Sequence, residues 1–305
     1  MEYPFNLLTE YFVKENYIDT SKEYEIVSVP ARNLMQYNRF DIMAKWIYID
    51  ARERGIESDY AEQIYFDNIN AFSSGTFIEP GTEEKNSFEK YKKDFDKLIF
   101  DIKRNGFDDN KSLVPVGKND VILDGSHRVA VAAYYNQNVK IIRFPELDRC
   151  YDYRWFRKYL MSDISMGYMA TYYAKLKRNC YMACIWPRAT REKIYLAEEL
   201  IRENGEILYS QNIYLTRQGL QNFMVQIYGK QRWTGNIEDQ FNGVKSKVDA
   251  CYKKNNPVVT FLFECDDLEK VIELKRKIRE IFNIENHSIH ISDDCEETED
   301  MVGLL

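Results

Sequence analysis

The chain has 305 residues, 45% of them hydrophobic, with 23 Tyr and 17 Phe, enough apolar material for two domains and a sizeable core, which excludes a disordered chain. A net charge of −7 argues against a protein that draws its affinity from neutralising nucleic-acid phosphates. No apolar run approaches the roughly 20 residues of a membrane span, and Met1 leads into Glu2 and Tyr3 rather than a basic stretch and apolar core, so no secretory signal is expected.

Residues 1–30 read as a polar, Tyr-rich lead-in ending at Pro30. Residues 31–72 read as helix, with Leu34, Phe40, Met43, Ile47, Ala51, Ile64 and Phe72 at roughly helical spacing. A loop follows between Ser73-Ser74-Gly75 and Pro80-Gly81, carrying Glu79, Glu83, Glu84 and Lys85. The next helix is predicted from about Ser87 to Arg104, with Phe88, Tyr91, Phe95, Leu98, Ile99 and Ile102 on one stripe and a stop at Asn105-Gly106. A hairpin pattern comes next: Ser112 to Val116, a turn at Gly117 to Asp120, then Val121-Ile122-Leu123. Val129 to Tyr135 is an almost wholly apolar helical run, and Val139 to Ile142 reads as a strand.

Residues 147–178 form an aromatic, mostly helical bridge. The basic and aromatic residues between Arg149 and Lys158 read as an amphipathic connector packing its rings inward rather than as a base-stacking surface. Beyond it, strands are expected at Cys180–Trp186, Ile207–Leu215, Val258–Phe263 and Ser288–Ile291. Between them lie a helix capped by Thr190 (inner face Ile194, Ala197, Leu200, Ile201), one marked by Leu220, Phe223, Met224 and Ile227, and one opened by a capping box of Asp266 with Glu269. The last of these is expected to bury Leu268, Val271, Ile272, Ile278 and Ile281. A final apolar helix ends abruptly at Gly303-Leu304-Leu305, as a domain cut short would. Alternating strands and helices predict a compact α/β domain.

The stretch with the most chemistry is Asp124-Gly125-Ser126-His127-Arg128, set between a strand and a buried helix. Gly125 relieves the sharp turn, and the amides of Ser126, His127 and Arg128 become first-turn donors at the positive end of the helix dipole. Arg128 adds a planar fork that matches phosphate oxygens. Asp124, His127 and Arg128 together meet part of what phosphoryl transfer requires, against the alternative that Asp124 and Arg128 merely pair or cap the helix.

Asn105-Gly106-Phe107, the hairpin through Val114-Pro115-Val116, Ile122 to Arg128 and the small-residue helix Ala130 to Tyr135 together resemble the ParB/sulfiredoxin superfamily. The resemblance covers roughly residues 88–145, under a fifth of the chain. It implies a ParB/sulfiredoxin-like nucleotide-binding domain with helical additions over 1–146; with the helical connector over 147–178 and the smaller α/β domain read from the pattern over 179–305, the whole chain is expected to be α+β. It also implies phosphate contacts from Gly125, Ser126, His127 and Arg128. The kinase branch of that superfamily uses an acid at the position of Asp124 and a second on the N-terminal side of the fold, for which Glu79 and Asp41 are the candidates. The function implied is a small-molecule kinase, using ATP (or ADP or CTP) with Mg²⁺ to phosphorylate a hydroxyl of a sugar, polyol or hydroxy amino acid, in the bacterial cytoplasm and in surface-polysaccharide biosynthesis. A ParB-like DNA-binding or nuclease protein and a nucleotide-gated interaction module without turnover are the alternatives. A sulfiredoxin-like reductase is disfavoured, because Ser126 stands where its cysteine would be.

Weaker signals remain. Asp41 and Lys45, four residues apart, read as a helix-surface ion pair, and the loop acids Glu79, Glu83 and Glu84 beside Lys85 as a metal–nucleotide lining or simply as solvated charge. In His287 to Asp293, strand alternation would put His287 and His290 on opposite faces and His290, Ser292 and Asp294 on one polar face, a second candidate site. Gly243 to Lys247 resembles a phosphate loop only loosely and reads as a solvated helix start. The six cysteines lack any Cys-x-x-Cys spacing, so free thiols in a reducing compartment are expected rather than zinc.

Overall fold

The computed structural model describes residues 2–81, 85–283 and 287–305 of a mixed α and β chain. The chain divides into two compact units, Met1–Ser165 and Met166–Leu305.

In the first unit a 3-10 turn at Phe5–Leu7 and α1 (Glu10–Glu15) precede β1 (Ile26–Pro30). Then come α2 (Asp41–Glu53), α3 (Asp59–Ser73), α4 (Phe88–Asn105), β2 (Val114–Val116), α5 (Ser126–Tyr134), β3 (Asn138–Arg143) and α6 (Tyr153–Lys158). The sheet order is β1-β3-β2, with β3 antiparallel to β1 and parallel to β2. Two parallel neighbours need a crossover, and α5 supplies it. Its residues Val129 to Ala133 are all buried, and α2 and α4 pack on it.

The predicted α4 is observed almost residue for residue. It buries Tyr91, Phe95, Ile99 and Ile102 and stops at Gly106, whose φ of 81° suits a residue without Cβ. The opening segment differs from expectation. Phe5, Leu8, Phe12 and Val13 are core residues, packed with Leu113, Ile142 and Phe144, and Thr9 caps α1 by accepting from the Phe12 amide. The single helix expected over 31–72 is interrupted, because Gly55 turns the chain at φ 63° and Ser58 caps a new helix at Ala61. The second hairpin arm is reduced to one antiparallel bridge, Val116 with Ile122.

The second unit begins within α7 (Asp163–Leu176) and continues through β4 (Cys180–Ile185), α8 (Arg191–Asn204), β5 (Glu206–Ile213), α9 (Arg217–Tyr228), α10 (Asn242–Cys251), β6 (Val258–Glu264), α11 (Leu268–Phe282), β7 (Ile289–Ile291) and α12 (Cys295–Val302). The strand order is β5-β6-β4-β7 and every neighbouring pair is antiparallel. This corrects the α/β expectation. Each crossover, β4–α8–β5 and β6–α11–β7, joins parallel strands that are not neighbours, and a strand of opposite direction fills each gap. The result is a split βαβ pattern rather than a parallel sheet. β4 is buried along its length and β6 up to Glu264, so the sheet centre is covered on both faces.

Thr190 caps α8 as predicted, but the cap of α11 is Asp267, not Asp266. The buried face also differs from the one expected: Leu268 and Ile272 face solvent, while Val271, Leu274, Ile278 and Phe282 are buried.

Candidate functional site

Gly125 adopts φ 83°, a left-handed conformation, and starts α5. No side chain caps this helix, and among the described residues no carbonyl accepts from the amides of Ser126, His127 and Arg128. Three donors therefore stand open at the positive end of a helix. The Gly125 amide is held by Asp124 Oδ1 at 2.6 Å, and Asp124 Oδ2 accepts from Thr9 Oγ1 at 3.3 Å. Thr9 is a residue that the sequence pattern did not single out. Its only local signal was the helix-capping position before Glu10.

Arg128 folds back over the glycine. A Cβ on Gly125 would lie 2.5 Å from Arg128 Nη2, so the close approach requires glycine for space as well as for its φ. The Arg128 side chain is 22% exposed. Among the described residues its contacts are Nη1 to the Leu113 carbonyl at 3.3 Å and Nη2 to Asp124 at 3.9 Å, the latter too long for a hydrogen bond. Burial pulls its pKa down, with Asp124 pulling it back up. A guanidinium with five donors and one good acceptor is under-paired.

His127 contributes its amide to the corner, but its ring is turned to the protein interior. Nε2 lies 3.0 Å from the Tyr65 hydroxyl, and the imidazole packs edge-on against Tyr65 and Phe95, both buried. Burial, then the charges of Lys45 and Lys85, hold its pKa well below 6.5. The ring packs against Tyr65 and Phe95 and shares a hydrogen bond with Tyr65.

Asp41 corrects the sequence reading most sharply. It is fully buried, not a surface helix residue. Arg39 holds both carboxylate oxygens, Nε to Oδ1 at 2.8 Å and Nη2 to Oδ2 at 2.9 Å, and Lys45 Nζ reaches Oδ2 at 2.8 Å and Asn68 Oδ1 at 3.1 Å. Burial alone would raise the carboxyl, but Arg39 and Lys45 outweigh it and hold Asp41 well below the ordinary carboxylate range. All of its charge is spent inside the protein, so it is not available to a substrate hydroxyl. Its partner Arg39 donates through Nη1 to the Ile122 carbonyl, two residues before the corner. Asp41 thus braces the corner from behind.

Glu79 lies in an ion pair with Lys85 at 2.8 Å, and Lys85 Nζ sits 5.3 Å from the centre of the Tyr91 ring. The charge of Glu79 adds to burial in raising the Tyr65 and Tyr91 phenols, and that of Lys85 adds to burial in lowering His127. Glu83 and Glu84 lie outside the described residues.

The second candidate set does not assemble. β7 ends at Ile291, so strand alternation does not extend to its flanks. His290 Nε2 pairs with Glu297 at 2.9 Å, Ser292 is buried between the Met182 amide and Thr298, and Asp294 caps α12. His287, just before the strand, lines the same cavity as His290 rather than the opposite face. Among the described residues no cluster of three metal-ligating side chains occurs.

Neither a family model, a curated protein nor a solved structure matches the chain.

Proposed function

We propose that the corner Asp124–Arg128 binds the phosphates of a nucleotide and that the chain transfers a phosphoryl group to a small hydroxyl acceptor. The observation that carries this reading is the conjunction of three open amides at the start of α5 with the under-paired Arg128 lying on Gly125. An anion placed there meets a helix dipole, backbone donors and a guanidinium together.

Asp124, 38% exposed at its side chain, is the carboxylate that the corner offers to an acceptor hydroxyl, and Thr9 fixes its outer oxygen. Mg²⁺ carried with the nucleotide would screen the charge between phosphate oxygens during an in-line transfer. Asp41 has no part in that chemistry; it positions the corner through Arg39. The resemblance of residues 88–145 to the ParB/sulfiredoxin superfamily supports the same reading, with ATP, ADP or CTP as donor and a sugar, polyol or hydroxy amino acid as acceptor. Six free cysteines fit a reducing cytoplasm, and among the described residues no helix is long and apolar enough to cross a membrane.

One observation favours a second reading. With Asp41 consumed inside the protein, Asp124 is the one predicted acid placed at the corner itself, which suits nucleotide binding without turnover.

Incubation of the protein with ATP, ADP or CTP, Mg²⁺ and a mixed pool of sugars, polyols and hydroxy amino acids, followed by ³¹P NMR, separates the two. A new phosphate ester formed by wild type, and lost at least tenfold in Arg128→Ala, is the expected result. Binding without a product selects the second reading. Absence of binding to any of the three nucleotides sinks both.

A further inference from the structure

The second unit holds a cavity of about 650 Å³, the size of a small-molecule site. It opens between the end of α9, a 3-10 turn at Arg232–Thr234, α10, α11 and β7. Three basic side chains line it: Lys247 from α10, and Lys275 and Arg279 one turn apart on α11. The carboxylate in the lining, Asp293, is already engaged by Lys275 at 2.6 Å, and Lys275 also donates to the Ile291 carbonyl at 2.7 Å.

Arg279 is the telling residue. Among the described residues its guanidinium has no salt bridge, and its Nε is buried without a hydrogen-bond partner. Lys247 sits nearby with Nζ 5.1 Å from the centre of the Tyr228 ring and 5.9 Å from that of Trp233. Burial lowers the Lys247 pKa, with Cys251 pulling it up and the charge of Arg279 pulling it down.

The aromatic side is held in place. Gly243 lets α10 press against the 3-10 turn, since a Cβ there would lie 1.9 Å from the Trp233 carbonyl oxygen. Trp233 is 45% exposed, with its indole nitrogen donating to Gln231. A flat ring thus stands fixed beside the cavity that Arg279 lines. Gly243, Ser246 and Lys247 all line the cavity, so the segment read as a solvated helix start is part of its wall.

We infer that this cavity binds a phosphate monoester of a ring-bearing small molecule, the phosphate on Arg279 and Lys247 and the ring against Trp233 and Tyr228. A dianion offers acceptors to the Arg279 guanidinium, which has none among the described residues. A planar base or the apolar face of a sugar covers the aromatic pair.

The test is isothermal titration calorimetry on the full chain with AMP, glucose 6-phosphate and inorganic phosphate. Wild type is compared with Arg279→Gln, Trp233→Ala and the corner variant Arg128→Ala. The expected result is that one ester binds at least tenfold more tightly than inorganic phosphate, and which ester does so tells a base from a sugar. That affinity falls at least tenfold in Arg279→Gln, falls in Trp233→Ala and is retained in Arg128→Ala. Retention in Arg128→Ala also separates this site from the corner, so failure of either leaves the other standing. Equal affinity of wild type and Arg279→Gln, or no binding of either ester, overturns the proposal. Thermal unfolding of each variant checks the fold, and Arg279→Lys, which keeps the charge, is expected to lose less than Arg279→Gln.

Discussion

The two units treat buried positive charge in opposite ways. In the first, Arg39 and Lys45 are buried almost completely, yet both are paired with Asp41, with Asn68 and the Ile122 carbonyl taking remaining donors. In the second, Arg279 and Lys247 face a cavity, and Arg279 has no acceptor among the described residues. Charge paired within the chain is architecture, and a guanidinium without an acceptor beside a void is an invitation to a ligand. The glycine corner lies between these extremes, with one cation, Arg128, half satisfied over three open amides.

Asp41→Asn tests the closed case and carries the largest expected effect. It leaves Arg39 and Lys45 buried without a counter-charge, a loss of about 3–5 kcal/mol. Arg279→Gln, measured by the same urea unfolding, is expected to change stability by no more than ~0.5 kcal/mol, as for a side chain with no partner to lose. Equal losses in the two variants would remove the distinction between architecture and site.

The corner was legible in the sequence because five consecutive residues determine it. A glycine at a strand-to-helix junction fixes the backbone locally, and the open amides follow from any helix start. The role of Asp41 was not legible. Its spacing to Lys45 is that of an ordinary surface pair, and only the packing of α2 between α3 and α5 turns that face inward. The cavity was still less accessible, since Arg279, Lys247 and Trp233 come from separate segments whose meeting depends on the whole second unit. Strand and helix alternation in that unit was readable, but alternation does not encode which strands are neighbours. The four-strand order, and with it the antiparallel sheet, came from pairing alone. In the opening segment, Tyr and charge concealed the period of Phe5, Leu8 and Phe12 that ties it to the core.

Gly125→Ala comes next in size. The substitution meets a left-handed φ that costs an L-residue about 1–2 kcal/mol, and its methyl group displaces the Arg128 guanidinium. Stability is expected to fall by about 2 kcal/mol in urea unfolding, and nucleotide binding at the corner by at least tenfold. Binding of the cavity ligand is expected to be unchanged. A variant that keeps wild-type nucleotide affinity would show that the phosphate does not approach the Gly125–Arg128 contact.

The smallest effect is a pH dependence that belongs to the first unit alone. His127 has a folded pKa well below 6.5, set by burial and the charges of Lys45 and Lys85. Below 6.5 the unfolded chain therefore takes up a proton that the folded chain refuses, so the stability due to the neutral ring is complete above that pH and lost as pH falls. At pH 5.5 the loss from this one group approaches about 1.4 kcal/mol. Urea unfolding of wild type and His127→Gln at pH 7.5 and pH 5.5 isolates it, because the other titrating groups are common to both proteins. Wild type is expected to lose more stability than the variant between the two pH values. Parallel losses would mean that His127 is protonated in the fold, and that its Nε2 donates to Tyr65 rather than accepting from it.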